Sequence, residues 1–156
     1  MFLKLSFLTK EKLYLAGGTA LALQLGHRKS IDFDFYSTTH FTKKTFLPLF
    51  KKNLKNKAIK ILRDFDNTFE IIINKKIHLS CFYYPYKIFS YVKCKGINLV
   101  SIEDIAAMKL VAISQRGRRR DFVDMYYLIK RFGLEKILKL TEKNIQNLMF
   151  IAAYAV

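Results

Sequence analysis

The stretch from Leu15 to Ser37, LAGGTALALQLGHRKSIDFDFYS, constrains this chain more than any other. Gly17 and Gly18 follow Leu13, Tyr14 and Leu15, so a strand is predicted to run into a turn that approaches something closely. Thr19 to Leu25 holds strong helix formers and no breaker. A helix that opens directly after two glycines presents free backbone N–H groups, which suit a phosphate. Gly26 stops that helix, and Ile31-Asp32-Phe33-Asp34-Phe35 alternates with the period of a strand. Ile31, Phe33 and Phe35 are predicted to face the core. Asp32 and Asp34 then share the opposite face, their Cα atoms about 6.6 Å apart.

Two carboxylates that close repel each other. At ~5 Å and an effective dielectric of about 20 the repulsion is on the order of 3 kcal/mol. A divalent cation reverses its sign, and Mg²⁺ (or Mn²⁺) matches hard oxygen ligands shared between one or two carboxylates and substrate phosphates. Taken singly, Gly-Gly is a turn and Asp-x-Asp a solvated strand face. Taken together, in this order, the two motifs resemble the signature of the polymerase-beta-like nucleotidyltransferase superfamily. The fuller string GGTALALQLGHRKSIDFDFYS resembles more narrowly the AbiEii/AbiGii toxin family within it, which includes the MenT tRNA-modifying toxins. The resemblance implies an α/β (α+β) fold: a small mixed sheet flanked by helices, with a helical C-terminal part. It implies an NTP substrate, Mg²⁺ held by Asp32 and Asp34, and phosphate contacts from Gly17, Gly18 and Thr19. Arg28 or Lys29 either reaches the triphosphate or is a solvated loop charge.

With 156 residues the chain fits one domain with a real core. The expected division is a nucleotidyltransferase core over 1–100 and a helical part over 101–156, packed as one unit. The formal net charge of +16, from 28 Lys and Arg against 12 Asp and Glu, is extreme for this length and attracts polyanions. RNA is the expected partner, against the plainer reading of a lysine-rich surface. Cys81 and Cys94 are the only cysteines and His27, His40 and His78 are scattered, so no zinc spacing occurs. The apolar segment Leu148 to Val156 is too short for a membrane span of ~20 residues. The expected setting is cytoplasmic.

Along the chain, Phe2 to Thr9 reads as a short apolar, helical segment. Thr38 to Lys57 reads as a helix that starts at Phe41 or Thr42, with Pro48 early and Lys43, Lys44, Lys51, Lys52, Lys55 and Lys57 on its outer face. Ala58 to Arg63 is a strand and Asp64 to Thr68 a turn, so the pair Asp64 and Asp66 is read as turn chemistry. Phe69 to Ile73 and Ile77 to Tyr84 form a hairpin across Asn74-Lys75-Lys76. Tyr86 to Val92 is a linker or short helix, and Lys93 to Val100 a last edge strand. Ser101 to Asp104 has capping-box spacing and opens a helix to Gln115.

Lys109 lies on the apolar stripe of that helix, among Ile105, Ala106, Ala112 and Ile113. Its ammonium either snorkels out of the core or is aimed into a site. Beyond Gly117 a second helix is predicted, with Phe122, Met125, Tyr126 and Ile129 on one face. Leu134 to Leu140 and Glu142 to Ala155 are two more helical stretches.

The run Ala107-Met108-Lys109-Leu110-Val111-Ala112 resembles the family's lysine helix, and Arg120 to Leu128 resembles its Arg-Asp block. By that resemblance Lys109 holds triphosphate charge. Asp121 orients or deprotonates the attacking group, or holds Lys109; alternatively it caps its helix. Asp124 ranks below it. Arg116, Arg118, Arg119 and Arg120 form the densest cationic cluster, suited to polyphosphate or an RNA backbone. The strand Ile77 to Tyr83 departs from the superfamily pattern: it carries His78 and Ser80 where a third carboxylate is usual. Three functions follow: an RNA (tRNA) nucleotidyltransferase toxin paired with an antitoxin; an adenylyltransferase that modifies proteins, like the MNT antitoxins; or a degenerate, non-catalytic RNA- or partner-binding relative.

Overall fold

The computed structural model describes residues 1–41, 43–65, 67–84 and 88–153, with the side chains of 43, 45 and 145–153 outside that description. Seven strands form one mixed sheet in the order β3-β4-β5-β2-β1-β7-β6. They are β1 (Tyr14–Ala16), β2 (Phe33–Ser37), β3 (Ile59–Phe65), β4 (Thr68–Ile73), β5 (Ile77–Tyr83), β6 (Tyr91–Cys94) and β7 (Ile97–Val100). The central β2 runs antiparallel to β1 and parallel to β5. A 3₁₀ turn (Phe2–Leu5) and α1 (Phe7–Lys10) lead into β1. The longer helices are α2 (Gly17–Leu25), α3 (Lys43–Asn53), α4 (Ile102–Gln115), α5 (Arg119–Phe132) and α6 (Leu134–Ala153).

Register explains how the sheet divides its labour. Phe35 pairs with Cys81 and Cys81 with Phe69, while Phe33 pairs with Leu79 and Leu79 with Ile71. Side chains alternate across a strand, so all of these lie on one face, and all are buried. α1 and α3 close that face: the Phe50 ring meets Phe7 edge-on at 5.6 Å and stacks on Phe69 at 5.9 Å. The opposite face carries Asp34, Tyr36, Ser80, Phe82 and Glu70 by the same register. Polar groups are therefore gathered on the side the aromatic core leaves free.

Several expectations are corrected. Ile31 is 66% exposed rather than in the core. β2 begins only at Phe33, and β1, which pairs with it no further than Asp34, does not flank the residues before it, so Ile31 and Asp32 both precede the strand rather than belonging to it. Lys93 to Val100 is not a single edge strand but the end of β6, a turn and β7, which pair as a hairpin. Lys95 and Gly96, both with positive φ, make its tight turn. β7 lies inside the sheet, and β3 and β6 are its edges. Asp64 and Phe65 belong to β3, so the turn begins later than expected; Asp66 and Thr42 lie outside the described residues. Of the segment Tyr86 to Val92, Tyr91 and Val92 are in β6, and Tyr86 and Lys87 are outside the described residues. Pro48 sits inside α3, where it removes the N–H that would reach the Lys44 carbonyl. The two C-terminal stretches are one helix, α6. Among the described residues no helix is long and apolar enough to cross a membrane.

The capping expectation holds in an altered form. Ser101 Oγ accepts the Asp104 N–H at 3.1 Å, and the Asp104 carboxylate takes the Ser101 hydroxyl at 2.6 Å and the N–H groups of Phe89 and Ser90. This fixes where α4 leaves the sheet.

Phe50 joins α1, α3 and β4, so its truncation removes the packing of three elements at once. Phe50→Ala is expected to lower unfolding free energy by about 3–5 kcal/mol, read from urea unfolding.

Candidate active site

The glycine pair is required by what surrounds it. Gly17 has φ +65, a left-handed conformation, and a Cβ there would stand 2.9 Å from Asp34 Oδ2. A Cβ on Gly18 would stand 2.2 Å from Arg28 Nη2. That guanidinium cannot swing away cheaply, because Arg28 Nε and Nη2 both donate to Asp124, at 2.7 and 2.9 Å. The first turn of α2 is thus pressed between the Asp34 carboxylate and the Arg28 fork. Thr19 donates its hydroxyl to the Asp32 carbonyl and lies 2.7 Å from Ser30 Oγ, so it ties the segment before β2 to the helix start.

A second constraint lies beneath. Lys109 is only 6% exposed and its Nζ lies 2.7 Å from both Asp121 Oδ1 and Asp124 Oδ2. Asp124 is completely buried and also faces His27 Nε2 at 2.7 Å. A carboxylate only accepts, so Nε2 carries the proton. Burial alone would raise the Asp124 pKa, but hydrogen bonds from Arg28, Lys109 and His27 outweigh it and hold it at about 2. Burial likewise opposes ionisation of Asp121, yet Lys109 and Arg116 keep it below the usual carboxylate range. The buried Lys109, the half-buried Arg28 and the exposed Arg116 thus meet two buried anions.

Asp34 is different. Burial, and then the charge of Asp32, push its pKa up; Lys109, Arg116 and Arg120 oppose this from farther away. Asp32 lies at the mouth, with Arg120 Nη1 3.0 Å from its Oδ2. Two cavities meet here, sharing Gly18, Asp34, Lys109 and Arg116. The larger, about 650 Å³, is polar and is lined by Thr19, Arg28, Asp32, Arg118, Arg120 and Asp121 among others. The smaller, about 210 Å³, is bounded by Tyr36, Tyr84, Ile105, Met108, Val111 and Ala112. Among the described residues no group of three or more His, Cys, Asp or Glu is assembled to hold a metal. Two hard carboxylates beside a roomy polar cavity fit Mg²⁺, which takes one or two carboxylates and completes its shell with water and phosphate rather than with an all-protein cage.

Of the residues singled out in the sequence, Gly17, Gly18, Thr19, Arg28, Asp32, Asp34, Lys109, Arg116, Arg118, Arg120 and Asp121 all line these cavities. Arg119 does not; it sits on the outer side of α5. Asp121 is no cap, since Arg118 occupies the N-cap position and the Asp121 side chain turns inward to Lys109. The predicted stripe on α5 is also overturned: its buried side is Asp121, Asp124, Met125 and Leu128, with Phe122, Tyr126 and Ile129 outside. Asp124, ranked low in the sequence, is the hub, and His27 is its unforeseen partner. The available signal was the i, i+3, i+4, i+7 series from Asp121 to Leu128, which reads as a buried stripe once the acids are allowed on it.

Replacing Asp124 by Asn leaves Lys109 and Arg28 short of a buried anion. Asp124→Asn is expected to cost about 3 kcal/mol at neutral pH. The folded pKa lies below the unfolded value of about 3.9, so this stability is complete above ~pH 4 and lost as pH falls toward ~2. The gap between wild type and variant, measured by urea unfolding, is therefore expected to narrow by on the order of 2 kcal/mol across that window.

This arrangement has relatives. The chain is 35% identical over 144 residues to the uncharacterized protein aq_aa25 of Aquifex aeolicus (strain VF5), covering 88% of this chain and 68% of the relative. Among solved structures it is similar to JHP933 from Helicobacter pylori, with 26% identity and a TM-score of 0.66 over 85% of this chain and 64% of that one. The antibiotic-resistance factor ANT(2'')-Ia shares the fold, with 15% identity and a TM-score of 0.66 over 98% of this chain and 93% of that one. The chain thus spans about two thirds of the length of aq_aa25 and of JHP933. The family model for the nucleotidyl transferase AbiEii toxin, type IV toxin–antitoxin system, matches residues 6–89 and 84–147. This chain belongs to that AbiEii nucleotidyl transferase family.

Proposed function

We propose that this chain transfers a nucleoside monophosphate from an NTP to a hydroxyl at an RNA end, a tRNA end first, and that it does so as the toxin of a cytoplasmic toxin–antitoxin pair. The observation that carries the reading is the junction of the two cavities at Asp34 and Lys109. The polar cavity suits a triphosphate: the N-terminus of α2 opens at Gly18 and Thr19, and Arg28, Arg116, Arg118 and Arg120 supply positive charge. The smaller cavity suits the nucleoside, with Tyr36, Tyr84 and Met108 as apolar walls.

Asp32 and Asp34 would hold Mg²⁺, which when bound supplies charge neutralisation at the triphosphate. To admit it, Arg120 leaves Asp32 and turns to phosphate. Two N–H groups of Lys109 are taken by Asp121 and Asp124, and the third is left to donate to a phosphate oxygen at the junction. Asp121 acts through Lys109, as a positioning residue; held below the usual carboxylate range it is a weak base. The acceptor oxygen bonds to the α-phosphorus, the bond to pyrophosphate breaks, and the acceptor proton passes to water in the open polar cavity.

The test is transfer of label from each of the four α-labelled NTPs, with Mg²⁺, to total tRNA or to cell lysate. The expected result is labelled tRNA, lost in Asp34→Ala and reduced at least about a hundredfold in Lys109→Ala. Label on a protein band would redirect the reading to protein modification; no transfer to either would overturn it. A companion measurement separates binding from turnover. Asp34→Asn removes a half-buried, disfavoured charge, so it is expected to raise the melting temperature of the metal-free protein by a few degrees and to abolish the further rise produced by Mg-NTP.

A further inference from the structure

α5 buries two acids beside Met125 and Leu128 and leaves a row of large apolar side chains in the open. Its acids, Asp121 and Asp124, are buried, while Phe122 is 54% exposed, Tyr126 62% and Ile129 38%. Phe122, Tyr126 and Ile129 fall at i, i+4 and i+7 and so share a face. That face also carries Arg119 and Lys130, both exposed, and no carboxylate, because the two acids of the helix are turned inward. A merely solvated helix face carries mixed charges rather than a row of large apolar groups. The row therefore calls for an occupant.

Its position and charge indicate which one. The Phe122 ring lies against Gly117, where an added Cβ would be 3.6 Å from Phe122 Cε2. Gly117 is flanked by Arg116 and Arg118, both of which line the polar cavity with Asp32 and Asp34. The aromatic row thus begins at the cavity rim and runs outward between cations, on a chain of net charge +16. Exposed aromatic rings set among arginines and lysines are the stacking surface of single-stranded nucleic acid, each ring taking a base while the cations follow the phosphates. Four residues of helix advance about 6 Å from Phe122 to Tyr126, close to two base steps of about 3.4 Å. An acidic protein partner would match the charge but not this spacing of rings.

We propose that the outward face of α5, with Phe122 and Tyr126 as base platforms and Arg119 and Lys130 on phosphates, holds the single-stranded end of the acceptor RNA and leads its terminal hydroxyl past Arg118 into the cavity. This rests on the reading that the acceptor is an RNA end.

The test measures fluorescence anisotropy without NTP, so that it does not depend on turnover. It compares a labelled RNA hairpin carrying a short single-stranded 3′ extension with a blunt hairpin. Wild type is expected to prefer the extended RNA. Phe122→Ala and Tyr126→Ala should each weaken it about tenfold, with unchanged unfolding midpoints because both side chains are exposed. Phe122→Trp should keep the affinity. Tyr126→Lys is decisive: a stacking surface loses affinity despite the added charge, whereas a purely electrostatic one gains it. A gain, or equal binding in all variants, overturns the proposal. So does a wild-type dimer in light scattering that the alanine variants dissociate, which would make the face a self-interface. Failure of label transfer with these binding losses intact would overturn the reaction instead of the platform; RNA labelling with unaltered binding would do the converse.

Discussion

Two buried carboxylates, set between the buried Lys109 and the half-buried Arg28, hold this site together. Asp121 and Asp124 lie under Lys109, and Asp124 also takes the Arg28 fork and the His27 ring. None of these charges survives burial alone, since an isolated ion in a protein interior costs several kcal/mol. Each therefore fixes the place of the others, and through them α4, α5 and the segment after α2 are joined. The sheet contributes Asp34, with Asp32 on the segment just before β2, but the helices and the His27–Arg28 segment give those acids their surroundings.

Other features follow from that arrangement. Arg28, drawn to Asp124, occupies the space over the second residue of α2, which must then be Gly18. Lys109 and Arg116 relieve Asp34 only in part; burial and the charge of Asp32 prevail, and its carboxyl is left the unfavourable member of the site. Such a group is disfavoured in the empty protein and satisfied by a cation, as expected where binding is favoured at some expense of stability. Turning both acids of α5 inward also turns its aromatic residues outward, so the network that positions Lys109 creates the exposed face beside the cavity.

What could be read from the sequence was what local pattern encodes. Gly17-Gly18 with Asp32 and Asp34, the apolar alternation of Phe33 and Phe35, and the helix over Ile102–Gln115 with Lys109 on its buried stripe each rest on a single short stretch of chain. The contacts that could not be read span the chain: Arg28 and Asp124 are 96 positions apart, and nothing in either segment names the other. The outward turn of Phe122, Tyr126 and Ile129 was missed because large apolar groups are ordinarily placed in the core, and on α5 the buried ion network overrides that preference. Ile31 failed because the strand begins only at Phe33, beyond the reach of β1. The β6–β7 hairpin was hidden because its turn is marked only by Lys95 and Gly96, inside an otherwise continuous run.

The central claim is that Lys109 and Asp124 act as one unit rather than as two separate contributors, and a double-mutant cycle on stability tests it most directly. Urea unfolding of wild type, Lys109→Met, Asp124→Asn and the double variant yields their coupling energy. The account predicts a coupling of about 2–3 kcal/mol, with the double variant more stable than the sum of the single losses implies. Single losses that add to within about 0.5 kcal/mol would contradict it, because each side chain would then be held by its remaining neighbours alone.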